Sequence, residues 1–200
     1  MRLIPYYDFV PARPPRGACV RAVPGAPLHL LYGAEDVWIE SPDPSAALAA
    51  AARAARPVLN SLPADEASWA AYGAASLRRF ERVVLLPFAP GAKAQSFDAN
   101  LDAALALADR FGVPPERRIV DICVLPRRSS PDPDVYASRI AALRARGYAA
   151  CGGVNNYVYG GDEGELPAFG SRLAAAGLAY GIVSARFVPL LAGGPASGFN

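Results

Sequence analysis

Carboxylates and carboxamides recur in this chain where short apolar runs give out. They are Glu40 after VWI, Asn60 in PVLNSL, Asp121 in RRIVDICVLP, and the pair Asn155 and Asn156 in CGGVNNYVYG. No histidine, lysine or cysteine pair accompanies them. Ionised carboxylates only accept hydrogen bonds, whereas a carboxamide offers a donor and an acceptor together. Such a set suits a flat, nitrogen-rich ring presenting a guanidine-like N–C–NH2 edge. A charged contact of that kind is worth roughly 1.5–3 kcal/mol. Taken singly, each residue also reads as a strand-end cap or an Asx-turn. Their recurrence at several strand ends is what suggests one shared site.

The elements that would position them are clearest from Arg117 to Gly160. An apolar strand, Arg118 to Val124, contains Asp121. Asp132-Pro133 then gives a cap followed by proline, Ile140 and Leu143 line one helix face, and Gly147 ends the helix. The next strand, Tyr148 to Tyr157, runs through Gly152-Gly153 and carries both asparagines. Strand, helix and strand at this spacing form one parallel βαβ unit, and in α/β barrels chemistry sits where such strands end.

The same alternation begins at residue 37. Val37 to Ile39 is a short strand ending at Glu40, and Asp43-Pro44 opens an alanine-rich helix reaching about Arg56. PVLNSL is a strand ending at Asn60, a helix covers about Ala64 to Phe80, and ERVVLLPF is a strand covered on both faces. Ser96 to Phe111 is a periodic helix stopped by Gly112, Glu165 to Ala176 is a helix stopped by Gly177, and Leu178 to Val183 is the last strand. The loop from Ala89 to Gln95, after a strand, is a candidate substrate loop or lid. Six strands alternating with five helices predict an α/β, TIM-barrel-like (β/α) repeat.

Residues 1–36 are interrupted repeatedly by proline and glycine and leave only short strand candidates, Leu3 to Tyr7, Ala18 to Val23 and Leu28 to Tyr32. With no room for ordinary linking helices, these strands are expected to pair antiparallel or to lie on an edge. The predicted organisation is an irregular segment over 1–36, a barrel shortened at its N-terminus over 37–188 with no helix after its last strand, and a mobile tail over 189–200. An open barrel would leave strand edges for a partner to cover, which points to a homo- or hetero-oligomer or a barrel-completing subunit.

Composition narrows the function classes. Two hundred residues, 52% hydrophobic and 19% charged, are globular in character. A net charge of +2 asks for neither nucleic acid nor an anionic membrane. No apolar run reaches membrane-spanning length and the start, MRLIPYYDF, lacks an apolar signal region, so the reading is cytoplasmic. Cys19, Cys123 and Cys151 lack metal or disulfide spacing and read as buried free thiols. His29, the only histidine, reads as a strand-end or core residue and provides no metal site or triad. Arg127 and Arg128 follow a strand at the presumed active rim and could meet an anionic group, although a solvated face is the simpler reading.

Four motifs in register carry a resemblance. GVNNYVYG is similar to the G-L-S-N-I-S-Y/F-G motif of methyltetrahydrofolate:corrinoid methyltransferases, VDICVLP to their I-D-P-L-V-L-P, PVLNSL to their L-I-N-S strand, and VWIESPDP to their C-I-D-S strand. Glu40 stands where that family has aspartate. The resemblance runs from about residue 28 to residue 185 and implies the pterin-binding barrel superfamily, which also contains dihydropteroate synthase. It implies pterin contacts from Glu40, Asn60, Asp121 and Asn156, with Asn155 beside them, and a catalytic part for Asp121 and Asn156. Asn156 would support protonation of the methyl-bearing ring nitrogen. The implied cofactor is tetrahydrofolate or tetrahydromethanopterin, and the methyl acceptor a corrinoid on a partner protein. Alternatives are a non-catalytic or shortened pterin-binding subunit of a larger complex, a dihydropteroate synthase-like enzyme, and a barrel of unrelated chemistry. Against the synthase, Ala185-Arg186-Phe187 stands where that family has R-x-H.

Overall fold

The computed structural model describes residues 1–89, 96–129 and 132–192. The chain is an α/β protein whose eight strands follow one another in sequence order as a closed parallel barrel. They are β1 (Arg2–Tyr7), β2 (Cys19–Arg21), β3 (Trp38–Glu40), β4 (Val58–Pro63), β5 (Arg82–Leu86), β6 (Arg118–Asp121), β7 (Ala149–Gly153) and β8 (Tyr180–Ser184). The helices are α1 (Pro44–Ala51), α2 (Glu66–Leu77), α3 (Phe97–Arg110), α4 (Asp134–Ala145), α5 (Leu166–Ala176) and the short α6 (Val188–Leu191). By backbone contacts the chain forms two compact units, Tyr7–Asp121 and Met1–Tyr6 with Ile122–Asn200.

In the unit Tyr7–Asp121, local chemistry sets the helix starts. The side chains of Asp43, Asp65 and Ser96 accept from the backbone N–H of Ser45, Ser68 and Ala99 at the starts of α1, α2 and α3. The alanine-rich α1 ends at Ala51, earlier than its propensity suggests. Beyond it, the Arg53 guanidinium turns back to the carbonyl of Ala49, and Arg56 pairs with Asp36 at 3.0 Å. Gly73, at φ 69°, interrupts α2, a conformation any Cβ would oppose. Arg117 closes the end of that helix by donating to the carbonyls of Leu77, Phe80 and Glu81. The core packs Trp69, Leu77, Phe80, Val84, Leu85 and Leu101, all buried.

In the other unit, β7, β8 and β1 are adjacent parallel strands, with Gly153 level with Ile182 and Ile182 level with Ile4. Val154, in the turn after β7, lies beside Gly170 of α5 and Gly181 of β8, where an added Cβ would stand 4.0 and 3.0 Å from its side chain. Tyr136, Tyr157 and Phe169 form a buried aromatic cluster, in which Tyr157 and Phe169 stack at 3.9 Å. The Tyr136 hydroxyl accepts from the N–H of Leu125, and Arg139 donates to the Ile122 carbonyl at 2.7 Å. Together they hold the loop after β6 against α4.

The structure corrects several expectations. The segment 1–36 supplies two barrel strands, and they are parallel: β1 pairs with β8 and β2 with β3. Ordinary helices are not needed to return the chain, because irregular segments after β1 and β2 span the distance with only a 3-10 turn at Leu28–Leu31. That turn replaces the strand expected over Leu28 to Tyr32, and His29 is exposed on it instead of closing a strand or filling the core. All eight strands of the closed barrel come from this chain, so no strand is left for a completing subunit to supply.

The strand expected to run to Tyr157 stops at Gly153, and the chain turns through a 3-10 segment, Val154–Val158. A helix does follow the last strand, α6, with Leu191 seated against Gly170. The rest of the tail expected to be mobile, 193–200, and the loop expected as a lid, from residue 90 to 95, lie outside the described residues. Among the described residues no helix is long and apolar enough to cross a membrane.

Candidate functional site

In the unit Tyr7–Asp121, register decides which side chains share a face. Cys19, Trp38 and Val58 are level across β2, β3 and β4. Paired residues of a parallel sheet project to one side, and sides alternate along each strand. Two residues further on, Arg21, Glu40 and Asn60 therefore share that side, at the strands' C-terminal ends. Val83 is level with Leu59, so its neighbour Val84 shares the face of Val58, and Val84 is level with Ile119. Two residues beyond Ile119, Asp121 joins the same face.

The opposite face is turned to the helices. Arg118 points that way and, buried, donates to the Val113 carbonyl and pairs with Asp109 of α3.

The side bearing Glu40, Asn60 and Asp121 is concave, because Asn60 reaches over β3 to β2: its Nδ2 donates to Cys19 Sγ across 3.6 Å. A bulge in β4 between Leu59 and Leu62 follows Asn60 immediately, and the Asn60–Ser61 peptide is cis. Bulges near strand ends re-aim side chains. Asn60 is buried, while Glu40 and Asp121 are half-buried. Burial pushes the Cys19 thiol pKa well up, the Glu40 carboxylate pushes it further, and donation from Asn60 partly opposes both. Cys19 is accordingly a neutral thiol beneath the carboxylate.

Of the predicted residues, the structure therefore brings Glu40, Asn60 and Asp121 onto one face of one unit. Sequence reasoning missed Arg21, which is level with Glu40 and exposed, its Nη1 4.0 Å from Asp8 Oδ1. The signal was available in Ala18 to Val23, but only a parallel alignment with β3 would have exposed it.

Asn155 and Asn156 belong to the other unit, in the 3-10 turn after β7. Asn155 Oδ1 accepts from the N–H of Ser184 at 3.0 Å, tying the turn to the end of β8. Asn156 is exposed, and its Nδ2 approaches the Val124 carbonyl at 3.5 Å. Its carboxamide folds back over β7: a Cβ added at Gly153 would lie 2.6 Å from Asn156 Nδ2. The glycine in this motif therefore makes room for the asparagine.

On the outer side of this unit a cavity of about 460 Å³ is lined by Arg127, Pro133, Tyr157, Glu165, Phe169 and Arg172, among others. Arg127 is paired with Glu165 and Arg172 lies 3.4 Å from Asp134.

Among the described residues no group of three or more histidine, cysteine, aspartate or glutamate side chains could hold a metal ion. The cysteines are free, Cys19 and Cys151 buried as expected and Cys123 half-buried.

No protein-family model and no curated protein matches this sequence. Among solved structures, the chain is similar to 7,8-dihydropteroate synthase from Vibrio fischeri, with 10% sequence identity and a TM-score of 0.62 over 91% of this chain and 86% of that one. At that identity the likeness establishes the fold, the eight-stranded α/β barrel, and leaves the chemistry to be argued from the residues.

Proposed function

We propose that this protein binds a reduced pterin on the face bearing Glu40, Asn60 and Asp121, and that the ligand is a methyl-tetrahydropterin of the tetrahydrofolate or tetrahydromethanopterin type. The observation that carries the reading is the register that sets these three polar groups on one face at strand ends. Two half-buried carboxylates flanking a buried carboxamide match the donor-rich edge of an aminopterin. Partial burial strengthens each contact relative to water. Dihydropteroate synthase, a protein of the same fold, supports the reading at the level of architecture.

The methyl-transfer half of the proposal rests on the resemblance of GVNNYVYG, which implies that Asn156 supports protonation of the methyl-bearing nitrogen; its carboxamide is exposed. An amide is too weak an acid to supply the proton itself, so the proton arrives from solvent and the amide steadies it. The protonated amine then leaves with the bond's electron pair as the methyl group passes to the reduced corrinoid of a partner protein.

Calorimetric titration with methyltetrahydrofolate and a tetrahydromethanopterin analogue tests the binding half. Micromolar binding that is lost in Asp121→Ala supports it, and no binding at millimolar ligand refutes it. Methyl transfer to free corrinoid, lost in Asn156→Ala with pterin affinity retained, tests the second half. Binding without transfer would mark a non-catalytic pterin-binding subunit.

A further inference from the structure

Asn60 is the one group of the proposed edge whose hydrogen-bonding sense is not set by charge. A carboxamide turned one way presents an oxygen, and turned the other way presents an NH2 group. Its orientation decides whether the edge formed by Glu40, Asn60 and Asp121 is made of acceptors alone or of acceptors interrupted by a donor. The partner that holds it is Cys19: Asn60 Nδ2 donates to Cys19 Sγ from across β3, and both side chains are buried. The planar amide then carries Oδ1 away from the thiol. Oδ1 is not among the buried atoms left without a partner, a set that contains only Asn100 Oδ1 among the described residues.

The thiol that receives this contact is neutral: burial and the Glu40 carboxylate both oppose its ionisation, and a thiol sulfur accepts weakly.

Resting on the pterin reading above, we infer that Cys19 is a positioning residue for ring recognition. By holding Nδ2 of Asn60 it makes Glu40, Asn60 and Asp121 an acceptor-only edge, which selects rings bearing an exocyclic amine over rings bearing a carbonyl there. A carbonyl in that place would set oxygen against oxygen, and a buried site built for one pattern rejects the other strongly. Without the thiol, the carboxamide is free to turn and offer its NH2 group to the carbonyl ring.

The test compares the affinities of 2-amino-4-oxopteridine and 2,4-dioxopteridine for the wild-type chain, Cys19→Ala, Cys19→Ser and Asn60→Asp. Loss of packing alone would weaken both rings alike and leave their ratio unchanged. The wild type is expected to prefer the amino ring by about tenfold or more, Cys19→Ala to fall to within about threefold, and Cys19→Ser, which keeps an acceptor, to retain most of the preference. Asn60→Asp presents an oxygen whichever way it turns and is expected to keep the preference. It supplies the answer if Cys19→Ala does not fold, since abolished discrimination there would mean that the NH2 group reads the ring.

A Cys19→Ala protein that binds both rings with the wild-type ratio overturns the inference and leaves the pterin reading standing. A wild type that binds neither ring overturns both.

Discussion

Asn60 and Asn155 are both carboxamides that the sequence places at strand ends, yet they are engaged in opposite senses. Asn60 gives its NH2 group to a side chain, Cys19 Sγ, from within a strand whose register also orients Glu40 and Asp121. Asn155 Oδ1 accepts from the backbone N–H of Ser184, joining the turn after β7 to the end of β8. The first arrangement leaves an acceptor for a ligand, and the second satisfies a backbone donor that would otherwise need another partner. Residue type is therefore a weak guide to role in this fold. What separates these two carboxamides is their partner, a thiol for Asn60 and the backbone for Asn155.

The strongest way to break that comparison is to remove charge from the proposed edge. Asp121→Asn and Glu40→Gln keep the size of each side chain and lose the anion. Each is expected to weaken pterin binding by about ten- to a hundredfold, the equivalent of a charged hydrogen bond of roughly 1.5–3 kcal/mol. Calorimetry on folded variants reads this directly. Unchanged affinity in both would move the ligand away from β3 and β6.

The complementary change is Asn155→Ala, which deprives the Ser184 N–H of its acceptor. It is expected to cost about 1 kcal/mol of folding stability, measured as a lower urea midpoint, with pterin affinity unaltered. If affinity instead falls while the midpoint stays, Asn155 belongs with the recognition groups, and the distinction drawn from its bond to Ser184 is wrong.

These contrasts also explain what could be read from sequence. The alternation from residue 37 was legible because several helix starts carry their own chemistry, such as Asp43 before Pro44 or Ser96 before Phe97. Glu40, Asn60 and Asp121 were legible because they interrupt apolar runs within regular strands. The strands β1 and β2 were visible, but their direction was not, since local sequence sets a strand's existence and distant partners set its pairing. The end of β7 was misread because VNNYV has the composition of a strand, while the bond from Asn155 to Ser184 that accompanies its turn is long-range. Arg21 escaped because β2 is only three residues long and gives no periodicity.

Gly153 offers a finer cut within the turn. Its φ of −74° is open to any residue, so Gly153→Ala adds no backbone strain. The new methyl group would instead stand 2.6 Å from Asn156 Nδ2 and push that carboxamide aside. Stability is expected to fall by less than about 1 kcal/mol, because an exposed side chain can move at little cost. Methyl transfer is expected to drop with pterin affinity retained, in single-turnover assays. Full transfer activity would show that the position of Asn156 over β7 is not needed for the chemistry.

The smallest expected effect concerns a buried phenol of α2. Tyr72 of α2 packs edge-on against Phe80, with ring centres 6.2 Å apart. Burial, and to a lesser degree the Asp43 carboxylate that caps α1, push its phenol pKa up to about 12. Because the folded value lies above the unfolded one, near 10, the unfolded chain loses this proton first as pH rises. The stabilisation tied to the neutral phenol is therefore complete below about pH 10 and is lost progressively toward pH 12. Tyr72→Phe keeps the ring and removes the ionisation, so its thermal midpoint should fall less steeply than the wild type's between those values. Asp43→Asn should lower the Tyr72 pKa slightly, and at neutral pH it should leave pterin affinity untouched, since Asp43 serves the helix and not the ring-binding face. Identical alkaline profiles for wild type and Tyr72→Phe would mean that Tyr72 ionises no later in the folded protein than in the unfolded one.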